Sequence, residues 1–287
     1  MEEYSFLFII AFIYVVFASI QDLRKREVAN WLNFSLISFA LAYRLIYSAY
    51  FNNYMFFVLG LLGFVIFFTL ANIFYYSKIF AGGDAKLLMG FGAILPFQNY
   101  WDLLFLSLIF IFVLFLIGTI FSFIYSISLV FSNKNKFKNE FNKQIKEKRY
   151  LFFISLAGIL IIFIEGFSLG VYISSWWFFA LIFIFMPLLY VYLEAVNRSC
   201  MIKLVDASKL TEGDWLEKDI KLNGKTIKKN VHGLNEEEIR LLRKYKKKAL
   251  IRYGIPFVPS FLIALLIMVF FFLVLRVDFQ SFFSSLF

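Results

Sequence analysis

Phe80-Ala81-Gly82-Gly83-Asp84-Ala85-Lys86 interrupts an otherwise oily neighbourhood with two glycines, a carboxylate and an amine. Glycine gives the backbone freedom and lets another chain approach closely. The stretch therefore reads as a tight turn that holds Asp84 at a helix start. A charge at the edge of a membrane segment is a functional hypothesis that calls for a named partner, and here the partner is Asp22.

The composition explains why the neighbourhood is oily. Of the 287 residues 62% are apolar and 42 are Phe, and mean hydropathy is +0.79, so the chain reads as an all-α polytopic membrane protein. Eight candidate spans are expected: Tyr4 to Ile20, Trp31 to Tyr50, Tyr54 to Tyr76, Ala85 to Leu95, Leu103 to Phe131, Tyr150 to Phe167, Ser175 to Glu194, and Ile255 to Leu275. The fourth is too short to cross alone, and Pro96 marks its far end. Leu103 to Phe131 is long enough to tilt or to project beyond the lipid.

Basic residues orient these spans. Loops 22–30, 77–86, 132–149 and 195–253 hold 27 of the 29 Lys and Arg, all on one side if eight spans cross. That side is expected to be the cytoplasm, with both termini outside. Arg44 and Arg276 fall near outer span ends, where snorkelling accommodates them. Asp22 and Asp84 then lie at one depth, on the cytoplasmic edge. The net charge of +10 fits an anionic lipid surface rather than nucleic acid.

The expected organisation is residues 1–131 as catalytic transmembrane helices one to five, 132–149 as a basic cytoplasmic loop, 150–194 as helices six and seven, 195–253 as a small mixed cytoplasmic insertion, and 254–287 as a final helix and tail. Loop 132–149 shows no apolar periodicity and reads as a lipid-facing connector. In the insertion, Lys203-Leu204-Val205 and the run around Asn223-Gly224 alternate as a hairpin does. Asn235 can cap a helix that opens with Glu236, Glu237 and Glu238. The apolar residues Leu234, Leu241, Leu242, Tyr245 and Ile251 suit either a membrane surface or a helix with a solvated charged face.

The one cysteine, Cys200, excludes an internal disulfide, and the one histidine, His232, excludes multi-histidine metal sites and leaves any His-dependent triad to that residue alone. No metal site and no cofactor are expected. Two carboxylates brought together share one proton, because mutual repulsion opposes ionising both. One member can then activate water while the other protonates a leaving amine. The bland alternative makes Asp22 an interfacial acid beside Arg24 or Arg26, and Asp84 a helix N-terminal acid. Lys86 has three readings: it steadies the pair, holds substrate backbone or meets a lipid phosphate. Glu165 reads as an acid near an outer span end, and Gly213-Asp214 as a turn.

Gly82-Gly83-Asp84-Ala85-Lys86, an aspartate ending the first span, and two carboxylates facing one side together resemble the GxGD-type aspartyl membrane proteases, in particular the type IV prepilin and prearchaellin peptidases. The family motif GxGDxK has its first glycine at Ala81 here, so the backbone at 81 is expected in an ordinary L-residue region. Leu210-Thr211-Glu212-Gly213-Asp214-Trp215-Leu216 and Gly254-Ile255-Pro256-Phe257-Val258-Pro259 look like the carboxyl-terminal region of the archaeal branch. The resemblance implies a protease with Asp22 and Asp84 as catalytic residues, with Ala81, Gly82, Gly83 and Lys86 as motif or support. It implies cleavage of class III signal peptides of pilin or archaellin precursors at the cytoplasmic face of the cell membrane. Outside that family, an ion-coupled transporter or channel using both aspartates, or a membrane scaffold without enzymatic activity, would also account for the residues.

Overall fold

The computed structural model describes residues 2–168, 176–222, 225–230 and 233–274. His232, Arg276 and the Asn223-Gly224 turn lie outside them. The chain is mostly helical and divides into two compact units, one formed by residues 1–124 and 255–287, the other by residues 125–254.

The first unit is a bundle of α1 (Glu2–Lys25), α2 (Asn30–Phe51), α3 (Tyr54–Tyr76), α4 (Gly82–Ile94), the first part of α5 (Tyr100–Ser132) and α10 (Val258–Val269). Residues in the left-handed region, which L-residues seldom enter, follow three of these helices: Arg26 after α1, Asn52 after α2 and Lys78 after α3. Helix α4 stops where Leu95 turns extended before Pro96. At 13 residues it is too short to cross a bilayer.

Helix α4 is nonetheless the centre of the unit. Leu87, Leu88, Phe91, Ala93 and Ile94 are at most 1% exposed, which is how a helix apolar on all sides behaves when others surround it. Phe91 stacks on Phe110 of α5 at 4.7 Å and meets Phe261 of α10 at 5.4 Å. On the α3 side, Gly63 and Gly92 face each other so closely that a Cβ on either would overlap the other's main chain. Small residues let membrane helices approach in this way.

The second unit contains α6 (Lys134–Glu147), α7 (Arg149–Ser168), α8 (Trp176–Cys200) and a polar segment after them. Residues 134–147 thus form a helix rather than an irregular loop. The apolar side chains Phe137, Phe141 and Ile145 recur every four residues; Phe137 packs edge-on against Tyr192 of α8, while five lysines between 134 and 146 stay exposed. Within α8, Pro187 removes the N–H that would bond the carbonyl of Phe183. Ser155 of α7 donates to that carbonyl instead.

In the polar segment, β1 (Ile202–Val205), β2 (Trp215–Leu216) and β5 (Ala249–Arg252) form an antiparallel sheet in the order β1-β5-β2. The expected hairpin pairs β3 (Ile220–Leu222) with β4 (Lys225–Ile227), Leu222 opposite Lys225. Helix α9 (Glu236–Lys244) opens with a capping box between Asn235 and Glu238. Its residues Ile239 and Leu242 are buried with Leu234 and Ile251 in the segment's own core, so the apolar side covers the segment's own sheet and not a membrane.

Five helices among the described residues are long and apolar enough to cross a membrane: α1, α2, α3, α5 and α8. The protein is a polytopic helical membrane protein with small sheets.

Candidate active site

Asp22 sits in the last turn of α1 and is 7% exposed. Its Oδ2 accepts the Val258 N–H at 3.0 Å, and the Phe257 N–H also faces the carboxylate. These are donors at the start of α10, left without partners by any helix geometry. Arg26 contributes its charge from farther away. A loop of four residues then returns the chain to α2, closed by the Ala29 N–H bonding Gln21 Oε1 at 3.0 Å.

Asp84 lies in the first turn of α4. Ala81, the N-cap, is extended at φ −72 and ψ 163, an ordinary L-residue conformation as expected. The Asp84 carboxylate reaches back to the Ala81 N–H, which is half of a capping box. Gly82 and Gly83 belong to the helix rather than to a turn, and neither has a positive φ. A Cβ on Gly83 would lie 3.5 Å from Val28 Cβ, an ordinary contact. The chain's own fold therefore does not require these glycines; they keep the surface beside Asp84 low.

The two aspartates come together. Asp84 is half-buried and close enough to Asp22 to feel its charge, although 61 residues separate them in the chain. Among the described residues neither forms an ion pair; Asp22 accepts a main-chain N–H at the start of α10 and Asp84 faces that of Ala81 at the start of α4. The positive ends of α4 and α10 therefore point at the pair, where they favour a negative charge. Such a pair can hold one proton, bind a water and exchange protons with it.

Lys86 is not their counter-ion. Its ammonium donates to Asn30 Oδ1 at 2.7 Å and lies 5.9 Å from the Phe34 ring centroid, tying α4 to α2. Phe80 anchors the motif from the other side, packing on Phe257 at 5.2 Å and on Phe115 at 5.6 Å. Asp214 stays in the turn expected of it, its Oδ2 accepting the Thr211 N–H at 2.9 Å. Among the described residues no cluster of three His, Cys, Asp or Glu comes together.

Four neighbours of the pair carried weak signals or none in the sequence. Asn33 is 1% exposed, donates to the Gly83 carbonyl at 3.4 Å and keeps Oδ1 without a partner; a polar residue in an apolar span was the available clue. Ser19 and Ser260, buried one turn from Asp22 and at the start of α10, also have unpartnered hydroxyls. Val258 acts through its backbone, which no side-chain pattern reveals.

The fold and site define a helical membrane protein with a carboxylate pair set among helix N-termini. Residues 9–127, which carry both aspartates, match the type IV leader peptidase family. A preflagellin peptidase of Methanocaldococcus jannaschii is 34% identical over 92 residues, 32% of this chain and 39% of that protein. Preflagellin peptidases of Methanococcus maripaludis and Methanococcus voltae are 34% and 33% identical over 89 and 84 residues, covering 31% and 29% of this chain and 38% and 35% of theirs. The chain thus spans less than two fifths of the length of these relatives. No solved structure matches.

Proposed function

We propose that this protein is a membrane aspartyl endopeptidase that cleaves class III signal peptides of type IV pilin-like or archaellin precursors. The observation that carries the reading is that Asp22 and Asp84, from different helices, lie close enough for their charges to interact, each facing a main-chain N–H at a helix start. The family match over residues 9–127 and the names of the relatives support the same reaction class.

The chemistry needs only the pair and a water. The ionised carboxylate takes a proton as water oxygen bonds to the scissile carbonyl carbon, and the protonated carboxyl gives its proton to the carbonyl oxygen. The resulting diol collapses as the C–N bond breaks, with a proton passing to the departing amine and the pair returning to its single-proton state. The pair titrates as one unit throughout. Low glycines at 82 and 83 leave room for an extended substrate backbone beside Asp84.

The segregation of basic residues supports a cytoplasmic site, where the basic leader of a precursor emerges from the membrane. The exposed lysines of α6 suit anionic lipid headgroups. Incubating the purified chain in lipid vesicles with a precursor, and weighing both fragments by mass spectrometry, tests the assignment. An intact precursor, or equal cleavage by Asp22→Asn, would refute it. Proton- or sodium-driven flux in those vesicles, abolished by the same substitution, would establish transport instead.

A further inference from the structure

Arg44 is the largest fully buried side chain of the first unit, at 0% exposure. Its sequence position near a span end suggests snorkelling to the surface; the structure turns it inward instead. Nε donates to the Ala93 carbonyl at 2.7 Å, and the two terminal nitrogens donate to the carbonyls of Leu95 at 2.6 Å and Phe56 at 2.7 Å. Among the described residues no carboxylate forms an ion pair with it. The rings of Phe56 and Tyr4 flank the guanidinium at 4.6 and 5.5 Å. Gly60 makes the room, since a Cβ there would overlap the Arg44 side chain.

Ala93 and Leu95 close the C-terminal end of α4. A helix that ends inside a membrane bundle leaves its last carbonyls without water, and each is costly to bury unless a donor reaches it. The negative end of the helix dipole also favours a cation. Arg44 meets both needs, and Tyr4 Oη donates to the buried carbonyl of Phe97, just beyond the helix, at 2.7 Å. The helices that supply these donors, α1 and α2, also supply Asp22 and Asn33 at the opposite end of α4. A 13-residue helix is a rigid rod of about 20 Å, so fixing its far end fixes the depth and register of Asp84.

We infer that Arg44 is a positioning residue for the carboxylate pair, acting through α4 from the end remote from the chemistry. The inference rests on the peptidase reading only for what Asp84 does; the placement of α4 is testable without turnover. Val28 Cβ lies 3.5 Å from a Cβ built on Gly83, within the range a disulfide accepts. The full-length protein carrying Cys200→Ser, Val28→Cys and Gly83→Cys should therefore oxidise to a disulfide.

Adding Arg44→Gln should slow that cross-link at least about tenfold, because α4 loses its anchor. In the otherwise unaltered chain, Arg44→Gln should lower kcat at least about tenfold with KM within about twofold, the signature of a misplaced reacting group rather than lost binding. Arg44→Lys, which keeps the charge but reaches fewer carbonyls, should fall between. Unchanged cross-linking in Arg44→Gln, or a loss of turnover carried by KM alone, would overturn the inference. So would slowed cross-linking with kcat intact. Should Arg44→Gln fail to accumulate, the same criteria apply to Arg44→Lys. If the parent cleaves no precursor while the cross-link still depends on Arg44, the peptidase reading fails and the anchoring of α4 stands.

Discussion

Glu217 in the polar segment and Asp22 in the membrane bundle are both carboxylates with little exposed surface, held by opposite means. Glu217 Oε2 takes Arg252 through Nη2 at 2.7 Å and Nε at 2.9 Å, with Lys229 at 3.9 Å. Asp22 takes the main-chain N–H of Val258 at 3.0 Å. The first carboxylate is engaged by charge as well as by hydrogen bonds. One held by backbone dipoles keeps its place in either protonation state and can exchange a proton with water. Asp206 likewise pairs with Lys248 and Glu194 with Arg198, whereas Asp84 faces the Ala81 N–H, and Asp102, Asp214 and Asp219 also accept main-chain N–H groups.

If that division marks function, the largest effect falls on the amide-held pair. Asp22→Asn and Asp84→Asn should each reduce precursor cleavage at least about 1,000-fold while leaving membrane insertion intact, and the double variant should be no worse than either single one. Near-normal cleavage by either would erase the distinction. Glu217→Gln should leave kcat unchanged and destabilise the polar segment by about 1–2 kcal/mol, because Arg252 is left half-buried with a weaker acceptor; limited proteolysis of the full-length protein reads that loss.

Asp214 sharpens the comparison, being an amide-held acid outside the bundle. Burial pushes its carboxyl above the usual range, opposed in part by the Thr211 N–H. The folded segment therefore binds that proton more tightly than the unfolded chain. This contribution is complete below the unfolded pKa and is lost as pH rises through the folded one. Asp214→Asn keeps the acceptor without the charge, so it should resist proteolysis slightly better than the parent near about pH 7 and equally near about pH 4. The smallest effect belongs to Asp206→Asn, which breaks an exposed ion pair and should change stability by less than about 1 kcal/mol and turnover not at all.

Local pattern was enough for much of this. The short fourth helix, its end before Pro96, the hairpin around 223–224 and the Asn235 cap each depend on residues a few positions apart. The stripe Phe137, Phe141, Ile145 was equally local, but the lysines and asparagines around it masked the period. Arg44 was misplaced for a different reason. A basic residue near a span end normally finds water, and only the presence of α4's carbonyls and of Gly60 inside the bundle makes burial the better solution.

By itself the sequence determined that this is a polytopic helical membrane protein and that a GxGD-like segment begins a short helix, and it singled out Asp22 and Asp84 as the candidate acids. Composition, helical length and motif spacing are properties of the chain alone. Tertiary structure decided which donors hold those acids, that Lys86 bonds Asn30 instead of the pair, and that Arg44 closes the far end of α4. Backbone N–H and C=O groups are chemically alike at every residue, so no residue pattern announces which of them a given side chain will meet; only packing does.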